Sequence, residues 1–310
     1  MRTRRAIAAA AVSALLLAAC DADDEPDPDE LAEPEQPDDL DDLDDDAAEP
    51  EAVEREPAEV ELIEPGAEPR QQLRLDIEEG TRATGTLRFE EEVISAGAED
   101  EPGPPQSGAI DLQLEVTEVA DGQTTIGFVY ESVSIDGQAP QQGGQLEGVE
   151  GEMVLDERSR LVRTSQAAQG LDQLPIALPE EDVGVGAIWE IRTEDIFQLP
   201  ATEVMTVELT AVDGDEYELE LSATTRGPAE PTPMPGGGTQ PGTELMLEEL
   251  ERDSAGQQRA SMSSPFPLTS QLTTRTLLVV SLEDDEAGPG ADLGGEQRQE
   301  FREQITFERH

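Results

Sequence analysis

The sequence predicts a mostly β protein: antiparallel sheets in two tandem similar units, preceded by a signal peptide and a disordered acidic tether. Three observations carry this. Apolar and polar residues alternate with strand period over most of residues 70–310. Asp-Gly pairs separate such runs at Asp121-Gly122 and Asp213-Gly214, where tight hairpins want positive φ. Before residue 70 the chain is first a short apolar run and then strongly acidic and proline-rich.

The apolar run comes first. Arg2, Arg4 and Arg5 precede a 14-residue stretch, Ala6 to Ala19, interrupted only by Ser13. It is short of the ~20 residues of a spanning helix and has the form of a secretory signal, so residues 1–19 are expected to be removed on export. The run ends at Leu17-Ala18-Ala19-Cys20, and Cys20 is the sole cysteine. These four residues resemble a bacterial lipobox. The resemblance implies cleavage between Ala19 and Cys20, diacylglycerol on the Cys20 thiol, and attachment to the cell membrane or outer membrane, with the body in the periplasm or at the cell surface. A lone cysteine cannot form an internal disulfide, which agrees with a lipidated role.

Residues 20–69 are expected to be tether. Positions 21–69 hold 24 acids and eight prolines against one arginine. Such a composition buries too little apolar surface to offset its ordering entropy. The acidic run over residues 38–46 lacks the glycine turn of a calcium loop, so no metal site is expected there.

The first β unit is expected over residues 70–182. Leu73, Leu75 and Ile77 alternate, then residues 83–89; Ile110, Leu112, Leu114 and Val116 alternate up to Asp121-Gly122; Ile126, Phe128 and Tyr130 share a face beyond it. Residues 165–178 read as a short helix. The second unit, residues 183–310, repeats the grammar: Met205, Val207 and Leu209, then Asp213-Gly214, then Tyr217, Leu219 and Leu221, and a final strand through Phe301, Ile305 and Phe307. Residues 116–122 align with 209–214 across one gap, and residues 151–165 and 245–261 both read as strand, turn, strand. The phrase Leu178-Pro179 followed by Val183-Gly184-Val185-Gly186-Ala187-Ile188-Trp189 resembles the middle of an uncharacterised group of exported bacterial β-sheet proteins with duplicated halves, which implies architecture and no activity.

Charge and residue types exclude several chemistries. Acids number 73 against 19 basic residues, all arginine, for a net charge of −54. A field of this sign repels nucleic acid and favours a soluble monomer. Absence of lysine removes Schiff-base and P-loop chemistry. His310 is the sole histidine and the last residue, a place expected to fray. No zinc set, catalytic residue or cofactor is therefore expected. Trp189 and the methionines 153, 205, 246 and 262 read as core positions. The expected function is a non-enzymatic binding or interaction module on a lipid anchor. One alternative is a lipid or lipoprotein carrier similar to LolA-type chaperones, with an apolar β cradle. Another is a hydrolase using paired carboxylates, which would need two acids in one cleft.

Overall fold

The computed structural model describes residues 52–95, 104–135, 147–168, 170–194, 201–228, 230–233, 243–284 and 297–310. The expected signal peptide, Cys20 and the tether up to residue 51 lie outside the described residues. Fourteen strands form one sheet, every pairing antiparallel. They are β1 (Ala52–Glu54), β2 (Glu59–Pro65), β3 (Arg82–Ser95), β4 (Gln106–Ala120), β5 (Gln123–Ile135), β6 (Glu150–Asp156) and β7 (Leu161–Ser165), then β8 (Ala187–Glu194), β9 (Thr202–Asp213), β10 (Glu216–Arg226), β11 (Thr232–Pro233), β12 (Thr243–Ser261), β13 (Thr269–Asp284) and β14 (Gln297–Arg309).

Two meanders, β3 to β7 and β8 to β14, join along the β3–β14 ladder. The β4–β5 hairpin turns on Asp121 (φ 51°) and Gly122 (φ 75°), the type I′ geometry expected from the Asp-Gly pair. One strand-level expectation differs. Residues 245–261 are not strand, turn, strand but lie within the single strand β12, whose ladder with β13 is interrupted only by a bulge between Leu247 and Glu249 and whose polar residues beyond it alternate inward and outward. The likeness of this stretch to residues 151–165, which do form β6, a turn and β7, is therefore one of composition.

The sheet path begins at β1, on the edge of β7, and ends at β2, on the edge of β8. Laid flat, that path would span about 58 Å at ~4.8 Å per strand spacing. Yet only residues 55–58 separate β1 from β2, a reach of at most ~18 Å. The sheet is therefore curled into a ring. Because β7 and β8 both run antiparallel to their partners β1 and β2, residues 52–65 form one strap descending between them. Counting the strap as one stave, the ring has twelve. This corrects the expected tether boundary at residue 69, since residues 52–65 are part of the sheet. Val60 and Leu62 pack against the core while Glu59, Glu61 and Glu64 face out, so a strand hides inside an acidic composition.

A ring of twelve staves measures about 24 Å between opposite backbones, wider than inward side chains can fill. The remaining bore matches one polypeptide segment, and the linker between β7 and β8 occupies it. Instead of the expected helix it makes two 3₁₀ turns, Gln166–Ala168 and Leu171–Gln173. Leu171, Leu174, Ile176, Ala177 and Leu178 are buried. Its carbonyls are caught from three sides of the ring: the Tyr130 hydroxyl donates to Ala167 O (2.7 Å), Gln258 Nε2 to Leu174 O (3.1 Å) and Trp189 Nε1 to Ala177 O (3.0 Å). Burial pushes the Tyr130 phenol pKa up, so it stays a donor. Leu112, Phe128 and Phe307 surround one part of the linker, and Trp189, Val207 and Leu219 another.

Leu73, Leu75 and Ile77 do alternate, but they form no strand. Residues 66–81 instead run across the short-turn end of the ring: Leu75 N–H donates to Glu157 O and Asp76 N–H to Met262 O, both at turns. Arg74 forks to Pro179 O and Glu180 O at 2.8 Å each, tying this cap to the foot of the linker. At the strap's lower end, Gly184 lies so close to Ala67 that a Cβ would meet Ala67 O at 1.8 Å. That contact explains one glycine of the Val-Gly-Val-Gly phrase.

Trp189→Phe removes the donor to Ala177 O inside a fully buried site. We expect a loss of about 2–4 kcal/mol in urea unfolding followed by far-ultraviolet circular dichroism. A change below about 0.5 kcal/mol would mean the linker carbonyl is not held as described.

Candidate functional site

Two polar constellations stand out, one outside the ring and one inside. The outer one gathers around His310. Its backbone N–H donates to Thr84 O (2.8 Å), extending the β3–β14 pairing to the last residue, so this position is docked rather than frayed. Its Nε2 lies 2.9 Å from Thr86 Oγ1, which donates to Asp111 Oδ1 (2.8 Å); Ser132 Oγ donates to Asp111 Oδ2 (2.7 Å). These side chains sit on adjacent strands, with Thr86 opposite Asp111 and Asp111 opposite Ser132.

The proton positions follow. Ionised Asp111 can only accept, so Thr86 donates to it and His310 Nε2–H donates to Thr86. The hydroxyl lies between histidine and carboxylate, the reverse of a triad, where the histidine is central and accepts the nucleophile's proton. Hydrogen bonds from Ser132 and then Thr86 hold the Asp111 carboxyl below its usual range, with Arg88 and His310 adding to this. Two shallow clefts meet at His310. One of about 510 Å³ is lined by Arg82, Gln113, Glu115, Val129 and Glu150; one of about 310 Å³ is lined by Thr84, Asp111, Glu131 and Ser132.

The inner constellation is a polar layer crossing four strands. In register, Ser254 of β12 faces Thr274 of β13, Thr274 faces Glu303 of β14, and Glu303 faces Glu91 of β3. Arg252 and Thr276 form the next rung. Glu303 lies between Phe301 and Ile305 on the inward face, and Glu91 between Phe89 and Val93, so the layer separates two apolar clusters. Arg252 and Glu91 are each 7% exposed. Ser254 Oγ and Thr274 Oγ1 are 2.9 Å apart, and Arg252 Nη2 reaches Gln173 Oε1 at the linker tip (3.4 Å). Burial raises the Glu303 carboxyl above its usual range; Arg252 opposes this and Glu91 adds to it.

Glu91 and Glu303 are thus two neighbouring carboxylates, one inclined to hold a proton, which is the chemical minimum for carboxylate hydrolysis. Neither outer cleft reaches them, and the linker tip lies against the layer. Of the positions singled out in the sequence, Cys20 and Ala19 lie outside the described residues, as does the acidic run 38–46. Trp189 and Met153 are fully buried, Met246 is buried, and Met205 and Met262 are partly buried against the core. Among the described residues, no group of three metal-ligating side chains converges. No protein-family model and no curated protein sequence matches the chain.

The two carboxylates differ in their response to pH. Asp111, with its lowered pKa, contributes stability above the ordinary carboxyl range, and that contribution is lost as pH falls through its folded value. Asp111→Asn should cost about 1 kcal/mol at pH 7, modest because water reaches the group, and the gap to the parent should narrow on acidification. Glu303 has the opposite sign. Its raised pKa means that ionisation costs stability as pH rises from the ordinary glutamate value through the folded one. Glu303→Gln should therefore be more stable than the parent at pH 7 and equal to it in acid. Urea midpoints across pH 3–8 read both, and parallel curves for either variant would refute its assignment.

Proposed function

We propose that the chain is an exported lipoprotein, held to a membrane through acyl chains on Cys20, whose ring of strands is a non-enzymatic binding or interaction module. The observation that carries the module reading is the direction of the side chains. Inward positions such as Leu112, Leu114, Ile126 and Phe128 are apolar and buried, while outward positions such as Gln113, Glu218 and Glu220 are polar and exposed. A barrel embedded in lipid has the reverse alternation. The ring therefore suits water, and a membrane role requires an anchor beyond it. Among the described residues no helix is long and apolar enough to cross a membrane. The lipobox-like Leu17 to Cys20 supplies such an anchor, each buried methylene adding ~0.8 kcal/mol.

The packing supports binding over catalysis. Thr86, between His310 and Asp111, has its proton committed to a carboxylate, and Glu91 and Glu303 lie under the linker tip. A carrier of apolar molecules is the second reading, favoured by one observation: two apolar clusters line the bore around a linker of two short turns. The two meanders, each with a two-residue hairpin (Asp121-Gly122 in one, Gly214-Asp215 in the other), are read as a duplication. The acidic surface and its arginine–carboxylate pairs fit a monomer without nucleic-acid partners.

Cys20→Ala should move the protein from the membrane fraction to the soluble fraction of fractionated cells. A variant that still sediments with membranes would overturn the anchor.

A further inference from the structure

We propose that the strap, residues 52–65, is a clasp: its release from β7 opens the seam between β7 and β8, frees the linker and admits an apolar molecule to the bore. The ladders are weakest there. β1 pairs with β7 over three residues, and β7 pairs with β6 over three, whereas β12 and β13 pair over sixteen. Local opening follows such differences in ladder length and contact.

Arg55 sits where the strap leaves β7 and before it reaches β8, with its N–H donating to Val162 O (2.9 Å). Its side chain crosses to the linker tip, Nη2 lying 3.6 Å from Asp172 Oδ2. This ion pair joins strap to linker, so the two are coupled. It is a loose pair. The Arg55 Nε is buried without a hydrogen-bond partner, a donor that water would satisfy once the strap moved. Burial lifts the Asp172 carboxyl above its usual range against the pull of Arg55, and the Gly170 N–H also holds it. The seat thus carries polar groups that gain solvation on release, next to the shortest ladders of the ring.

Opening exposes Leu171, Leu174 and the inward faces of β5 and β6, an apolar lining suited to neutral, apolar ligands. This deepens the binding-module reading by naming where and what it binds, and it does not depend on anchoring at Cys20.

The test uses the full chain carrying Cys20→Ala, which leaves no other thiol. Glu54→Cys with Arg163→Cys, opposite each other in the β1–β7 register, pins the strap when oxidised. Hydrogen exchange of residues 161–178 should slow at least tenfold in the oxidised form and recover on reduction, and uptake of Nile red should fall with it. Arg55→Ala should speed exchange of the same residues at least tenfold and raise Nile red uptake, leaving residues 269–284 and 297–309 unchanged. Exchange or dye uptake indifferent to the disulfide overturns the clasp. So does acceleration by Arg55→Ala that is equal across all strands, which marks general destabilisation.

Discussion

A ring of twelve strands cannot be filled by its own side chains, and that constraint organises the molecule. Eight strands close around a packed interior; twelve leave a bore. A bore of apolar walls must either hold water at high cost or be occupied. Here the occupant is the chain itself, and it brings backbone carbonyls that a purely apolar interior would leave unsatisfied. Tyr130, Gln258 and Trp189 are the buried donors that make the linker tolerable, one from each side of the ring. Their geometry also fixes the linker's height, and so the level at which its tip meets Arg252 and Arg55.

Arginine does the remaining polar work, consistent with a chain that has no lysine. The forked guanidinium can serve two acceptors at once, which an ammonium does less well. Arg74 uses this to bind two carbonyls where the end cap meets the foot of the linker. Arg160 closes the β6–β7 turn on Asp156 (2.6 Å), whose other oxygen accepts the N–H groups of Arg158 and Arg160. The outward pairs, such as Arg82 with Glu115, are exposed and contribute little each. Their use is to break up an acidic face that would otherwise repel itself along every ladder.

Much of the wall was legible in the sequence. Ile110 to Val116 and Tyr217 to Leu221 alternate without interruption, and Asp121-Gly122 has the backbone its residues favour. The polar layer of the interior was not legible, for a physical reason. Glu91, Arg252 and Glu303 occupy inward positions, so they break the apolar alternation and look like surface. The strap was hidden the other way, its Val60 and Leu62 diluted by outward glutamates. Leu73 to Ile77 shows the converse error: alternation marks one buried face, and a cap lying across the end of a ring has one too. Ring closure itself depends on which distant strands meet, and local periodicity carries no information on that.

The closing stave is also the earliest of the described residues to be synthesised. The strap's partners, residues 163–165 and 187–192, follow it by more than a hundred residues, and β3 waits for the far end of the chain, where Arg309 pairs with Gly85. The ring cannot close until β14 has emerged. The nascent protein must therefore carry an open, curled sheet with two bare edges until its last strand arrives, which makes its maturation slow and exposed to edge pairing with neighbours. The acidic residues on the strap and along the outward faces then serve the unfinished molecule, keeping like edges apart until the ring is complete.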